Sequence, residues 1–167
     1  MIMPTLDQIR AFLGAKRLAI AGVSRNPNDF SRVLFREFLR RGYDAVPVHP
    51  GGGEIEGRTC FARLQDVGPA VDAVLLMTSP TVTEQIARDC AEAGVKHVWM
   101  YRAAGAGAVS DQAVDYCESR GIDVIAGECP LMFFEGAGLI HRLHGLVRKI
   151  TGRYPRPSIG CSCQAAH

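Results

Sequence analysis

Seven consecutive residues, Gly22-Val23-Ser24-Arg25-Asn26-Pro27-Asn28, concentrate the chemistry legible in this chain. Glycine and proline mark a turn, which exposes backbone N–H groups; Ser24 adds a hydroxyl and Arg25 a guanidinium. These are the parts of an anion cradle. A strand running into the turn and a helix leaving it would aim the positive end of a helix dipole at the same point, which suits a phosphate. Two further segments have the same form, an apolar run halted by turn residues: Val48-His49-Pro50 with Gly51-Gly52-Gly53, and Thr78-Ser79-Pro80.

Other reactive side chains are scattered. His49 and Cys129 stand at the ends of expected strands, where His49 could meet a phosphate and Cys129 a thiol or thioester. Glu128 and Glu135 could act as bases, but a single carboxylate near a helix start is ordinarily a cap or dipole partner. His141 and His144, three apart on an expected helix, give two ligands where a metal site needs more, and Cys161 and Cys163 form an isolated Cys-x-Cys. Cys60, Cys90, Cys117 and Cys129 are scattered through expected core elements and read first as buried small residues. No set makes a complete catalytic constellation or a metal site, so the expectation is a binding protein and not an enzyme.

The elements that would position the cradle follow from periodicity. Helical spacing predicts helices over 4–14 with Thr5 as cap and the helix lying on the sheet edge as a lid, over 31–41 with Val33, Leu34, Phe35, Phe38 and Leu39 apolar, and from Thr81 or Val82 to Gly94 with Val82, Ile86, Ala87, Cys90 and Ala91 inward. Further helices are expected over 110–121 and 135–151. Continuous apolar runs predict buried strands over 18–22, 44–48, 71–77, 97–101 and 122–126, and a short edge strand over 58–61. Pro47 implies a strand with one unpaired side. Met132-Phe133-Phe134 reads as packing.

Strands alternating with helices give an α/β class: a three-layer, Rossmann-like parallel sheet of about five strands with helices on both faces, plus a C-terminal helix and tail. One domain over 1–152 and an extended tail over 153–167 are expected from 167 residues. In such sheets ligands bind at the carboxyl ends of the strands, which gathers residues 22–28, 49–53, 78–80, 101–107 and 127–130 along one edge.

Absences narrow the ligand. A dinucleotide site needs Gly-x-Gly-x-x-Gly after the first strand and an acid closing the second; this chain has one of those glycines, and its second strand ends in Val48-His49-Pro50. Asp44 has suitable spacing but opens that strand, at the opposite edge. A Walker loop is missing too. The remaining parts suit a phosphorylated ribose with a pyrophosphate, and coenzyme A has both.

The order of Gly22-Val23-Ser24-Arg25-Asn26-Pro27, Arg41-Gly42-Tyr43, Pro47-Val48-His49-Pro50, Glu54-Ile55-Glu56-Gly57 and Cys129-Pro130 resembles the CoA-binding domain family, small stand-alone proteins similar to the amino-terminal domain of succinyl-CoA synthetase alpha subunits. The resemblance covers about residues 5 to 135. It implies that Gly22, Val23, Ser24, Arg25 and Asn28 line the diphosphate, that Val48 and Pro50, with His49 between them, flank the adenosine end, and that Thr78, Ser79 and Pro80 border the adenine or the pantetheine path. The chain departs from the family at Tyr101-Arg102-Ala103-Ala104-Gly105, where a Gln and then a Gly are frequent. The synthetases carry their phosphorylated histidine in a second domain, for which this chain has no counterpart, so ligase activity is not expected.

The expected function is therefore non-catalytic binding of coenzyme A or an acyl-CoA. Two alternatives stay open: a small NAD(P)-dependent or acyl-CoA-processing enzyme using His49 or Cys129, and a regulatory subunit docking through the basic terminal helix that carries Arg142, Arg148, Lys149 and Arg153. A homodimer or a partner protein is compatible with either. A formal charge of +2 argues against nucleic acid as a partner, and no stretch reaches the roughly 20 apolar residues of a membrane span. With no basic segment leading into an apolar run at the amino terminus, a cytoplasmic protein is expected.

Overall fold

A computed structural model describes residues 4–102 and 105–134. The strand feeding the cradle, β1 (Arg17–Ala21), is apolar along nearly its whole length because both its faces are covered: Leu18 and Ile20 enter one core cluster, Ala19 and Ala21 the other. Parallel neighbours extend it into a five-stranded sheet with β2 (Asp44–Val48), β5 (Ala73–Leu76), β6 (His97–Met100) and β7 (Asp123–Ala126), in the order β2-β1-β5-β6-β7. Between β2 and β5 lie a two-residue hairpin, β3 (Glu54–Ile55) and β4 (Arg58–Thr59), and a 3-10 turn at Leu64–Asp66.

Four helices among the described residues cover the sheet. On one face α1 (Leu6–Gly14) and α2 (Phe30–Arg40) bring Ile9, Phe12, Leu34, Phe35 and Phe38 against Leu18, Ile20, Leu75, Trp99 and Ile125. On the other α3 (Pro80–Glu92) and α4 (Asp111–Ser119) bring Ala87, Cys90, Ala113, Val114 and Cys117 against Ala19, Val74, Val98 and Val124. The chain is thus a three-layer α/β fold with a Rossmann-like parallel sheet. No helix of the described residues is long and apolar enough to cross a membrane.

Local chemistry explains the boundaries. Thr5 closes a capping box with Gln8 at the start of α1, Asp29 caps α2 and Ser110 caps α4. Pro47 is tolerated because β2 is an edge strand. Its carbonyl faces outward to the Phe61 N–H at 3.1 Å, so the absent Pro47 donor lies on the same outer side.

Several expectations need correction. Helix α1 is not a lid on the sheet edge: it packs flat beneath β6 and β7, with Phe12 edge-on to Trp99 at 5.1 Å. Helix α3 begins at Pro80, with Ser79 as its cap residue, and its phase turns Val82 outward while Thr83 is buried. A proline at the first helical position is pre-set for the helix, which moves the start upstream of Thr81. Val33 is likewise exposed on α2. The edge strand expected over 58–61 is divided between β4 and a single bridge from Phe61 to Val48. Glu135, the helix expected over 135–151 with His141 and His144, and the tail with Cys161 and Cys163 lie outside the described residues, as do Ala103 and Ala104.

Candidate functional site at the carboxyl edge of the sheet

The strand ladder continues one residue past each carboxyl end. Gly22 N–H donates to Val48 O at 3.0 Å, Met77 N–H to Ala21 O at 2.9 Å, Tyr101 N–H to Leu76 O at 3.0 Å and Gly127 N–H to Met100 O at 2.9 Å. These bonds set the loops after β1, β5, β6 and β7 in one row. The crevice opens between β1 and β5, because the chain leaves β1 toward β2 on one side and resumes at β5 on the other, the switch point at which doubly wound sheets bind ligands.

Gly22 is at that point, and two constraints require glycine there. Its φ is +89°, and a Cβ would lie 2.7 Å from the Met77 carbonyl oxygen and 2.9 Å from Thr78 Cγ2. The turns after β1 and β5 are in backbone contact, which places Thr78 beside the cradle. Thr78 in turn shares a 2.8 Å hydroxyl hydrogen bond with the buried Thr83 in the first turns of α3. Ser79 is exposed and Pro80 half-buried beside it.

Within residues 22–28 the hydrogen bonds are largely internal. Ser24 N–H donates to Ser31 Oγ at 2.9 Å, Asn26 N–H to Ser24 Oγ at 3.1 Å and Asn28 N–H to Asn26 Oδ1 at 3.0 Å. Ser31 passes the chain on, donating from Oγ to Asp29 Oδ1 at 2.5 Å while its N–H reaches the same oxygen at 2.8 Å. Those two bonds, the side-chain one foremost, hold the Asp29 carboxyl below its usual range, so an anionic side chain already occupies the amino terminus of α2. Sequence reasoning did not single out Asp29 or Ser31. The signal was present as Asp29-Phe30-Ser31, a cap residue opening a helical apolar stripe.

The Val23 side chain is fully buried in the core, so only its backbone can serve the site. Neither the Val23 nor the Arg25 N–H meets an acceptor among the described residues, and backbone donors are rarely left so. The Ser24 hydroxyl keeps its hydrogen to donate. The Arg25 and Asn28 side chains are exposed. Arg25 reaches across to the loop after β2, where Nη2 donates to the Gly52 carbonyl oxygen and where a Cβ added at Gly51 would lie 3.0 Å from that nitrogen.

That second loop is held from behind. Glu56, at the tip of the β3–β4 hairpin, pairs with Arg32 at 2.5 Å and Arg36 at 3.1 Å on α2, and the Arg32 hydrogen bond lowers its carboxyl from the ordinary value. His49 accepts from Gly51 N–H on Nδ1 at 3.0 Å, which assigns the ring hydrogen to Nε2. Val48 is buried and Pro50 exposed. The end of β2 carries no carboxylate.

Half-buried apolar side chains line the other half of the row. Phe30, at the start of α2, stacks on Tyr101 with ring centroids 5.4 Å apart, and Met77 and Cys129 pack on the same cluster. Burial pushes the Tyr101 hydroxyl up to about 12, with Cys129 adding to the effect, so it remains a neutral donor. Burial pushes the Cys129 thiol up as well, which disfavours the thiolate a nucleophile needs. Trp99 Nε1 donates to Glu128 O at 2.9 Å and ties the loop after β7 to the core. The structure thus brings the segments around Gly22, His49, Thr78 and Cys129 to one edge. Among the described residues no cluster of His, Cys, Asp and Glu could hold a metal ion.

Comparisons with known proteins bear on the fold and the family. A structure of a hypothetical protein from Pyrococcus horikoshii OT3 superposes with a TM-score of 0.71 at 25% identity, covering 78% of this chain and 92% of that one. An uncharacterised Bacillus subtilis (strain 168) protein, YneT, is 24% identical over 127 residues, 75% of this chain and 91% of its own length. The fold also recurs in the dinucleotide-forming acetyl-coenzyme A synthetase 1 of Ca. Korarchaeum cryptofilum, with a TM-score of 0.59 at 23% identity, where 67% of this chain matches 25% of the longer one. Residues 16–135 match the family model described as CoA binding domain. The match spans every strand of the sheet and every loop of the row described above, and the chain belongs to the CoA-binding domain family.

Proposed function

We propose that the protein binds coenzyme A or an acyl-CoA, without catalysing a reaction on it, at the carboxyl edge of the sheet. The observation that carries this reading is the pair of N–H groups at Val23 and Arg25 that meet no acceptor among the described residues, set beside the Ser24 hydroxyl and the Arg25 guanidinium at the β1–β5 switch point. An anionic ligand supplies the acceptors these donors lack. Gly22 allows the close approach, Asn28 flanks the diphosphate, and Thr78, Ser79 and Pro80 border the pantetheine path. Val48, His49 and Pro50 face the adenosine end, where the lack of a carboxylate admits a phosphorylated ribose and gives a dinucleotide's free ribose hydroxyls no acid to bind. Family membership supports coenzyme A as the ligand. Burial raises the Cys129 thiol and disfavours a thiolate nucleophile at this edge, which supports a non-catalytic role.

Calorimetric titration of the full chain with coenzyme A, its 3′-dephospho form and NAD tests the reading. Coenzyme A is expected to bind most tightly and NAD not detectably. Binding of NAD with no heat from either coenzyme would overturn it. Turnover of an acyl-CoA that disappears in Cys129→Ala would overturn the non-catalytic part alone.

A further inference from the structure

We propose that the Arg25 guanidinium holds the ribose 3′-phosphate and not the diphosphate, which makes Arg25 the residue that selects coenzyme A over its 3′-dephospho form; this rests on the coenzyme A reading above. The Arg25 side chain leaves its own loop and lies along Gly51-Gly52-Gly53, the turn after β2. Its Nη2 donates to the Gly52 carbonyl oxygen. A Cβ added at Gly51 would lie 3.0 Å from Nη2 and 3.3 Å from Nε, and one at Gly53 would lie 3.4 Å from Nη2 and 3.5 Å from Nη1. A side chain at 51 would push on the guanidinium, so the glycine run is the bed on which it rests.

That bed is fixed by its own hydrogen bonds. Gly52 N–H donates to His49 O at 2.8 Å, Cys60 N–H to Gly53 O at 2.8 Å and His49 N–H to Phe61 O at 2.9 Å. The point 3.0 Å from Arg25 Nη2 at Gly51 is also 3.2 Å from His49 Nδ1, so the imidazole and the guanidinium are neighbours on this turn. Because Nδ1 accepts from Gly51 N–H, the ring keeps Nε2–H as a donor beside the arginine.

The cradle and its cation are therefore divided between two strands. The backbone N–H groups of residues 23 and 25 stay at the end of β1, while the guanidinium stands at the end of β2, one strand spacing of about 5 Å away. Coenzyme A divides its phosphates in the same way. The diphosphate is carried on the ribose 5′-oxygen and the single phosphate on the 3′-oxygen, with one sugar ring between them. A ribose lying over the gap between the two loops brings the diphosphate to the backbone donors and the 3′-phosphate to Arg25. The bond to Gly52 takes one of the five N–H donors of the guanidinium, whose planar fork matches a phosphate. In doubly wound sheets a carboxylate closing the second strand binds free ribose hydroxyls, whereas an arginine nearby accommodates a phosphorylated ribose. Val48-His49-Pro50 with Arg25 across it is the second case.

Titration of the full chain with coenzyme A, 3′-dephospho-CoA and NADP tests the assignment. The wild type is expected to prefer coenzyme A over the dephospho form by about ten- to hundredfold, the range of one charge-assisted contact. Arg25→Gln is expected to bring that ratio near one, and Arg25→Lys, which keeps the charge without the fork, to retain part of it. Gly51→Ala, at a position outside the left-handed region, is expected to shrink the ratio with Arg25 itself intact. Thermal unfolding confirms that each variant is folded. If Arg25→Gln weakens both coenzymes equally and the ratio persists, the guanidinium belongs to the diphosphate and the inference is overturned. Equal affinities in the wild type, with both forms binding, would overturn it as well and leave the coenzyme A reading standing. Binding of NADP with no heat from either coenzyme would assign the arginine to a 2′-phosphate and overturn both readings.

Discussion

A Cβ built on Gly22 would stand 2.7 Å from the carbonyl oxygen of Met77. The turns after β1 and β5 are thus pressed together at the backbone, and the crevice of the candidate site begins at their junction. This contact explains how a loop with one glycine can serve where dinucleotide folds use three: the close approach here is strand turn against strand turn, and the remaining loop residues are free to carry polar side chains.

Gly22→Ala is therefore expected to destabilise the fold by about 2–4 kcal/mol, combining a positive φ with a backbone clash. Denaturant unfolding measures it. Gly14→Ala is the control: an added Cβ meets nothing within 4 Å and the helical position favours alanine.

Arg25→Gln removes an exposed guanidinium whose visible protein partner is a single carbonyl, so stability should change by no more than about 0.5 kcal/mol. Coenzyme A affinity should fall by about tenfold or more, the value of one charge-assisted phosphate contact. The wild-type affinity should weaken with added salt and the variant's less steeply. Equal salt slopes would remove Arg25 from the phosphate site.

The fold was legible because the chain states it twice, once in apolar runs long enough for doubly covered strands and once in helical stripes between them. What escaped was phase and partnership. Val82 and Thr83 adjoin in sequence, and only the start of α3 at Pro80 decides which faces the sheet. The position of α1 under Trp99 depends on an open place on the sheet face, which no local pattern records. That the loop carrying Gly22, Ser24 and Arg25 follows β1 at the carboxyl edge of the sheet was readable. That Ser24 N–H is consumed by Ser31, while Val23 and Arg25 keep theirs, depends on how the loop turns back onto α2.

Glu56 joins the hairpin to α2 through two arginines, one of them nearly covered. Glu56→Gln keeps the shape and removes the charge, leaving Arg32 short of its counter-ion. A stability loss of about 1–2 kcal/mol is expected, more than an exposed pair would give. Because the hairpin backs the loop that Arg25 reaches, coenzyme A affinity should fall with it. Unchanged stability and affinity would show that the hairpin stands without this anchor.

Acid stability offers a separate test on α2. The hydrogen bond from Arg40, followed by the bond and charge of Arg41, holds the Glu37 carboxyl near 2 against an ordinary 4.5. Its folded value is depressed, so the stabilisation is complete above about pH 4.5 and is lost as pH falls toward 2. Solvent reaches this surface cluster and screens it, so the loss should amount to no more than about 1 kcal/mol. Denaturant midpoints measured from pH 6 down to pH 2 should decline in the wild type, and the decline should be shallower in Glu37→Gln. High salt should shrink the difference between the two curves, since exposed charges are screened over about 10 Å at 0.1 M. Glu37→Gln should also leave the affinity for coenzyme A unchanged at pH 7, because Glu37 lies near the carboxyl end of α2, away from the loop that opens that helix. A variant whose acid limb overlays the wild type would show that Arg40 and Arg41 contribute nothing measurable through Glu37.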